Sequence, residues 1–306
     1  MTSRLLDPLT LLYRGPLSSC NYACPYCPFA KRTETAAQHA ADAEALARFV
    51  DWAAAQTRPL SVFFTPWGEA LVRWRYQEAV TRLSHLGHVG QVAIQTNLSG
   101  KLGWLEQAER SKVGLWATYH PGEVTRARFL ARCAELDALG VRYSVGVVGK
   151  REHFGEIEAL RAALPPQVYL WVNAFSQGPR KATSYYSPAD LEFLSRIDPL
   201  FEVNTRHYPT RGKACATGET VLSVDGDGTL RRCHFVPRVL GNLYTDSLET
   251  ILRPRPCPRP TCECHIGYVH LPQLEAEAVY GPGLLARIPE GTGDVGAYLA
   301  RARGLL

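Results

Sequence analysis

Residues 19–27 read SCNYACPYC: Cys20, Cys24 and Cys27 form a C-x3-C-x2-C pattern, with Tyr26 directly before the third cysteine. Three thiolates cannot complete the tetrahedral four-ligand shell of a structural zinc ion, and the nearest histidine downstream is His39. A [4Fe–4S] cluster held by three cysteines keeps its fourth iron open for a small molecule. The pattern therefore favours an iron–sulfur cluster over a zinc knuckle or incidental cysteines.

The length and composition narrow the class of protein. A chain of 306 residues suits one large α/β domain with a small appendage. No apolar run approaches the roughly 20 residues that cross a bilayer, and residues 1–7 lack the apolar core of a signal peptide. Nine cysteines without an export signal favour metal ligation in a reducing compartment, so we expect a cytoplasmic protein that does not contact a membrane. The formal charge of +5 is mild and spread along the chain, which argues against a nucleic-acid partner.

Apolar runs and helical patterns alternate along the first two-thirds of the chain. We expect strands at residues 9–15, 60–65, 91–97, 113–119, 141–148 and 167–174, and helices at residues 35–56, 71–86, 101–108, 126–139, 152–164 and 188–197. Strict alternation predicts parallel β/α units with right-handed crossovers, and six units make an open barrel. Active sites in such folds lie at the carboxyl ends of the strands, where the cysteine loop follows the first strand.

The three-cysteine motif resembles the signature of the radical S-adenosylmethionine (SAM) superfamily, including its aromatic residue, Tyr26. The resemblance covers residues 9 to about 270, and the run from Tyr13 to Arg32 is similar to a bacterial subgroup with no assigned reaction. It implies an α/β fold with a partial (β/α)6 barrel similar to a TIM barrel. It also implies that SAM binds the open iron and is reductively cleaved to a 5′-deoxyadenosyl radical, which takes a hydrogen atom from a substrate.

The same resemblance implies SAM contacts in the loops after the second and third strands. Gly68 and Glu69 stand where relatives have a Gly-Gly-Glu-Pro segment, whose backbone carbonyls accept hydrogen bonds from the SAM ammonium. Trp67 and Ala70 depart from that segment, and a turn glycine followed by a helix-start glutamate is the alternative. Thr96 and Asn97 resemble part of a Gln-Thr-Asn-Gly segment.

Later loops carry weaker similarities. Thr118 replaces a SAM-contacting serine, Arg126 or Arg128 could meet the SAM carboxylate, and Gly149 lies in a segment that resembles the lining of the adenine site. Each of these residues has a capping or turn role as its alternative. Cys133 differs, because apolar residues at helical spacing surround it and indicate a buried structural position.

A second group of cysteines follows residue 205. Cys215 and Cys233 flank a predicted hairpin at residues 221–230, and their spacing resembles the opening of a SPASM or twitch extension. That extension has seven cysteines in its full SPASM form, so the five present here favour the twitch form with one auxiliary [4Fe–4S] cluster. Its implied ligands are Cys215, Cys233 and two of the last three cysteines, which are Cys257, Cys262 and Cys264. A zinc ribbon that also uses His234 or His265 is the alternative.

These observations predict a barrel at residues 1–205, a SPASM/twitch-like region at 206–275 and a carboxy-terminal tail at 276–306. The function that we expect is radical modification of a peptide or protein side chain. The alternatives are oxidation of a sugar or cyclitol, or a zinc or iron–sulfur scaffold without turnover. An enzyme of this kind needs a reductant such as flavodoxin or ferredoxin, and the sequence names neither its substrate nor a catalytic residue.

Overall fold

The computed structural model describes residues 8–29, 32–175 and 185–305. Residues 1–7 lie outside these ranges, and the expectation about a signal peptide depends on them. Lys31, in the run from Tyr13 to Arg32, also lies outside these ranges. The described residues form two compact units. The first is drawn from Met1–Leu115, Glu135–Arg142 and Ala216–Arg255, and the second from Trp116–Ala134, Tyr143–Cys215 and Pro256–Leu306. The division at residues 205 and 275 stays a sequence-based prediction.

Strands and helices alternate as far as residue 197. In the described ranges the strands are β1 Leu9–Arg14, β2 Leu60–Phe64, β3 Val89–Thr96, β4 Val113–Tyr119, β5 Arg142–Val148, β6 Leu170–Asn173, β7 Tyr208–Pro209, β8 Val221–Asp225, β9 Thr229–Arg231, β10 Val239–Asn242 and β11 Thr261–Cys262. The α-helices of the same ranges are α1 Ala36–Ala54, α2 Trp74–Ser84, α3 Arg126–Leu139, α4 Phe154–Ala163, α5 Pro188–Ile197, α6 Phe201–Asn204, α7 Leu248–Ile251, α8 His265–Tyr268, α9 Ala276–Tyr280 and α10 Val295–Gly304. The short helix expected at residues 101–108 is a 3-10 helix, Gly103–Gln107.

The sheet of the first unit is built around β1. Its strand order is β10-β9-β8-β1-β2-β3, with β1 parallel to both β2 and β8. The predicted hairpin is present as β8 and β9, and it extends the sheet beside β1. In the second unit the order is β4-β5-β6, and β5 runs parallel to β6. Among the described strands, those at the two ends of the strand order do not pair with each other, so the sheet is not closed into a barrel. The predicted α/β fold with an open parallel sheet is therefore confirmed.

Local sequence accounts for the helix that packs beside the cysteine loop. Thr35 and Gln38 form a capping box that starts α1, because each side chain bonds the other residue's backbone amide. The helix buries Leu46, Phe49 and Val50, and the Phe49 ring stacks on Tyr13 of β1 at a centroid distance of 4.4 Å. This packing fixes the end of β1 and, with it, the start of the cysteine loop.

Two expectations about composition can be compared with the described residues. Cys133 of α3 is 2% exposed, which confirms its structural position, and none of the nine cysteines is in a disulfide. Within residues 8–29, 32–175 and 185–305, no helix combines the length and apolar character needed to cross a membrane.

Candidate cluster and cofactor site

The cysteine loop leaves the carboxyl end of β1 and carries its three thiols in sheltered positions. Cys24 is buried, whereas Cys20 and Cys27 are half-buried. A backbone hydrogen bond of 3.2 Å from the Cys27 amide to the Cys24 carbonyl closes the turn between the second and third cysteines. Tyr26 lies in that turn and is half-buried. The sequence therefore places three thiols on one tight loop at the strand end where the fold predicts a site.

Two carboxylates hold the start of this loop. The Leu17 amide donates to Asp42 Oδ1 at 3.2 Å. The Ser18 and Ser19 amides donate to the two oxygens of Glu34 at 2.8 and 3.2 Å. Three consecutive backbone amides before Cys20 are thus fixed by side chains from outside the loop, which pre-organises the loop for a ligand.

The environments of these two carboxylates differ. Burial raises the pKa of Asp42, although hydrogen bonds from the Tyr76 hydroxyl and the Leu17 amide oppose the shift. Burial also raises the pKa of Glu34, but the hydrogen bonds from Ser19 and Ser18 outweigh it and bring the pKa below its ordinary value. The Glu34 carboxylate therefore stays ionised while it accepts both amides.

Gly68 lies where the loop after β2 meets the cysteine loop. A Cβ atom at this position would lie 1.8 Å from the Ser19 carbonyl oxygen, so only glycine permits the approach. The next amide, that of Glu69, donates to the same carbonyl at 3.1 Å. The two loops are therefore joined through their backbones directly before Cys20.

The Glu69 side chain turns to β3 and joins the predicted residues Thr96 and Asn97. Its carboxylate is 3% exposed and accepts hydrogen bonds from the Asn97 amide at 2.5 Å, the Thr96 hydroxyl at 2.8 Å and the Leu71 amide at 3.0 Å. Burial raises the pKa of Glu69 to about 7, and these three hydrogen bonds limit the rise. The structure thus gives Glu69 and Thr96 a shared structural contact that the sequence had not indicated.

Asn97 continues the connection to the first cysteine. Its Nδ2 donates to Asn21 Oδ1 at 3.0 Å and lies 4.0 Å from Cys20 Sγ. The Tyr22 amide also approaches Cys20 Sγ, at 3.4 Å. Hydrogen bonds to the sulfur ligands are one of the features that set the potential of an iron–sulfur cluster, so the donor set and its surroundings fit such a group. In the described part of the chain, no three His, Cys, Asp or Glu side chains gather around a single metal-ion position.

Leu98 occupies the position of the last glycine in the resembled Gln-Thr-Asn-Gly segment. Its φ angle is 60°, in the left-handed region that non-glycine residues seldom adopt, and its side chain is buried. The Thr96 hydroxyl accepts the Leu98 amide at 2.9 Å. Strain at this point is held in place by the same threonine that contacts Glu69.

The second unit contains the other predicted SAM contacts. Thr118 is half-buried near the end of β4. Arg126 forms an ion pair with Glu156 at 2.8 Å, and the same carboxylate accepts the Tyr119 hydroxyl at 3.1 Å. Arg126, Tyr119 and Glu156 line an open cavity of about 590 Å³. A contact between Arg126 and the SAM carboxylate stays a prediction, and it would compete with Glu156.

Gly149 has a packing reason to lack a side chain. Its carbonyl accepts the Tyr186 hydroxyl at 2.7 Å, and its amide donates to the Asn173 carbonyl at 2.9 Å. A Cβ atom at Gly149 would lie 2.8 Å from Val172 Cγ1. The glycine therefore allows close packing at the end of β5, and its role toward adenine stays a prediction.

Four of the five later cysteines lie in the second unit, along one antiparallel pair of segments. Lys213 and Cys257 are joined by a backbone hydrogen bond of 2.9 Å, and Cys262 of β11 pairs with Tyr208 of β7. The segment that ends at Cys215 therefore runs beside the segment that carries Cys257 and Cys262, and Cys264 follows directly at the start of α8. Cys233 lies in the first unit, after β9, and is buried.

The chain is similar to known proteins in its fold. No sequence family and no curated protein matches the chain. Solved structures do match the chain, with the TM-scores, identities and coverages that follow. A tagged form of anSMEcpe with bound AdoMet, which is SAM, has a TM-score of 0.54 and 13% identity over 80% of this chain and 77% of its own. SuiB from Streptococcus suis, bound to SAM, has a TM-score of 0.53 and 16% identity over 80% of this chain and 65% of its own.

The chain has the radical SAM fold. A third similar structure in this fold is native anSMEcpe with bound AdoMet and a peptide named Cp18Cys, which has a TM-score of 0.52 and 14% identity over 80% of each chain. The predicted cysteine loop follows the first strand of this fold, and Gly68 and Asn97 are next to it in the same unit.

Several residues that hold the cysteine loop in place were missed from the sequence. Asp42 could have been recognised from the sequence, because it is a polar residue four positions before Leu46 on the buried face of α1. No sequence pattern indicates Glu34 or Arg73, although the Arg73 guanidinium donates a hydrogen bond to Ser19 Oγ at 3.2 Å. Their roles depend on contacts between segments that are distant in the chain.

Proposed function

We propose that this chain is a radical SAM enzyme that cleaves SAM reductively and uses the resulting 5′-deoxyadenosyl radical to take a hydrogen atom from a substrate. One observation carries the proposal: the three-cysteine loop is held at the carboxyl end of β1, with the Ser19 carbonyl against Gly68 and Cys20 beside Asn97. The fold shared with SAM-bound structures supports it.

Cys20, Cys24 and Cys27 would hold the [4Fe–4S] cluster, which supplies the electron for SAM cleavage when it is bound. Glu34 and Asp42 keep the loop in shape through the amides of Leu17, Ser18 and Ser19. Gly68 lets the second loop approach without a side chain, so that its carbonyls can accept the SAM ammonium. The role of the protein in this scheme is to position SAM and to exclude water.

We propose further that the substrate is a peptide or protein side chain and that a second cluster accepts or relays its electron. A peptide-bound structure among the similar proteins supports the substrate class. The antiparallel pair of segments that carries Cys215, Cys257 and Cys262 supports a second cluster. Its ligands would be Cys215, Cys233, whose spacing in the sequence resembles a twitch extension, and two of the last three cysteines. Flavodoxin or ferredoxin would supply the electrons.

The test is the reaction of the protein purified without air. The purified protein should carry iron and sulfide and absorb broadly near 400 nm. When SAM and dithionite are added, it should release 5′-deoxyadenosine and methionine in the absence of substrate. A colourless preparation that contains zinc and forms no 5′-deoxyadenosine would exclude the proposed function.

A further inference from the structure

Asn97, at the end of β3, is held through both its backbone and its side chain. Its backbone amide donates to the buried Glu69 carboxylate at 2.5 Å, and only 5% of the residue is exposed. The next residue, Leu98, has the left-handed φ angle of 60°, and the turn there brings the Ser99 amide to Asn97 Oδ1 at 3.0 Å. The chain's own backbone therefore fixes where the Asn97 side chain lies.

The hydrogen bonds of this side chain settle which end of its amide faces the cysteine loop. A backbone N–H can only donate, so the atom that the Ser99 amide contacts is the carbonyl oxygen of the Asn97 side chain. The same oxygen accepts the Ser99 hydroxyl at 2.5 Å. A reversed amide would set two N–H donors against each other. The NH₂ group of Asn97 therefore points toward the cysteine loop.

This NH₂ group has two hydrogens and two neighbours on the loop. It donates to Asn21 Oδ1 at 3.0 Å, and it lies 4.0 Å from Cys20 Sγ, toward which it directs its second hydrogen. Asn21, the residue directly after Cys20, also donates to Ser99 Oγ at 3.0 Å. A ring of three polar side chains thus joins the first cysteine to the end of β3, and one amide hydrogen of that ring is left for the sulfur.

A hydrogen-bond donor at this sulfur acts on the charge of a bound cluster. Reduction adds an electron to a group that its thiolates already make electron-rich. The positive end of an N–H dipole beside a thiolate stabilises the reduced state more than the oxidised state, so it raises the reduction potential. The Tyr22 amide approaches Cys20 Sγ at 3.4 Å, but it is a backbone group that side-chain substitution does not remove. Asn97 makes the same kind of contact from a side chain, which a mutation can remove.

We propose that Asn97 tunes the SAM-cleaving cluster: its side-chain amide donates a hydrogen bond to the Cys20 thiolate and raises the reduction potential, which eases electron transfer from a reductant. The proposal rests on the proposed function and concerns the regulation of its first electron transfer. This role differs from the SAM contact that the resemblance implies for Asn97, because it acts through a cysteine ligand of the cluster.

The test is a reductive titration of the protein purified without air, followed by electron paramagnetic resonance spectroscopy. The signal of the SAM-binding cluster is recognised by its change when SAM is added, which separates it from the signal of a second cluster. Asn97→Leu removes the donor, so the ratio of reduced to oxidised cluster at a given potential should fall about tenfold. For one electron, this corresponds to a midpoint potential lower by about 59 mV.

Two further variants separate the hydrogen bond from a purely structural role. Asn97→Asp keeps the shape and the acceptor oxygen but replaces the NH₂ group by oxygen, so it should lower the potential at least as far, and it decides the matter if Asn97→Leu does not assemble its cluster. Ser99→Ala is the matched control. It removes a hydroxyl from the same ring but keeps the Ser99 backbone amide on Asn97 Oδ1, so the midpoint potential should be unchanged.

Two results would overturn the proposal. One is a change of less than about twofold in the reduced-to-oxidised ratio of the Asn97 variants. The other is a fall in Ser99→Ala as large as that in Asn97→Leu, which would assign Asn97 a structural role alone. A wild-type protein without any SAM-responsive cluster signal would refute the proposed function itself, so the two failures are distinguished.

Discussion

The buried carboxyl of Glu69 gives a prediction whose size can be worked from its contacts. Oε1 accepts from Leu71 and Thr96, and Oε2 accepts from the Asn97 amide. Glu69→Gln replaces one acceptor with an NH₂ group that faces a donor. A buried donor that loses its partner costs about 1–3 kcal/mol, so we expect the variant to unfold about 2 kcal/mol more easily when wild-type Glu69 is protonated.

The loss should depend on pH. The pKa of Glu69 is raised from 4.5 to about 7, so the folded state holds the proton more tightly than the unfolded state. The stability that protonation provides is complete below pH 4.5 and is lost as pH rises through about 7, by about 3 kcal/mol at 1.36 kcal/mol per pKa unit. Glutamine does not titrate, so the advantage of the wild type should fall from about 2 kcal/mol at low pH through zero, and at pH 8 the variant should be the more stable by about 1 kcal/mol.

The assay is urea unfolding of the iron-free chain, followed by far-ultraviolet circular dichroism at pH 5 and pH 8. Glu78→Gln, a matched change at an exposed position of α2, should alter the unfolding free energy by less than about 0.5 kcal/mol at both pH values. A Glu69→Gln effect that is the same at both pH values would refute the reasoning, because it would mean that Glu69 does not titrate in this range.

Three further predictions follow from individual contacts. Gly68→Val should lower SAM affinity at least about tenfold by calorimetry, because the valine side chain would collide with the Ser19 carbonyl. Gly87→Ala, which has open space around it, should leave the affinity unchanged, and equal affinities for both variants would show that the Gly68 loop is only a turn. Arg287→Met should lower the free energy of unfolding in urea by about 3 kcal/mol, because the buried Arg287 charge stabilises the buried Asp198 carboxylate and limits the rise of its pKa. A loss below about 1 kcal/mol would contradict this. Cys215→Ala should preserve 5′-deoxyadenosine release but abolish peptide turnover, and continued turnover would make the second metal site structural.

The fold was accessible from the sequence because its signals are local. The apolar run of β4 and the helical spacing of α3 gave the observed bounds, Val113–Tyr119 and Arg126–Leu139. The hairpin of β8 and β9 was also expected, at residues 221–230. Its position was not, because the pairing of Thr10 with Val221 joins residues that are distant in the chain and leaves no local pattern.

The candidate site divides in the same way. The cysteine motif and Gly68 were read from short segments, and the structure brings their loops together. The roles of Glu34 and Asp42 were missed, since a carboxylate that accepts backbone amides leaves no motif of its own. Glu69 was assigned from resemblance to the SAM site, but its burial against Thr96 could be recognised only after the ends of β2 and β3 were placed side by side.

The most direct test of the account is SAM cleavage by a variant in which Cys20, Cys24 and Cys27 are replaced together by alanine. We predict that it stays folded, retains about half of the iron through the second cluster and forms no 5′-deoxyadenosine. Cys133→Ala, which removes a buried cysteine of α3, should keep both the iron and the cleavage as long as the protein remains folded. Formation of 5′-deoxyadenosine by the triple variant would contradict the central claim that these three cysteines hold the SAM-cleaving cluster.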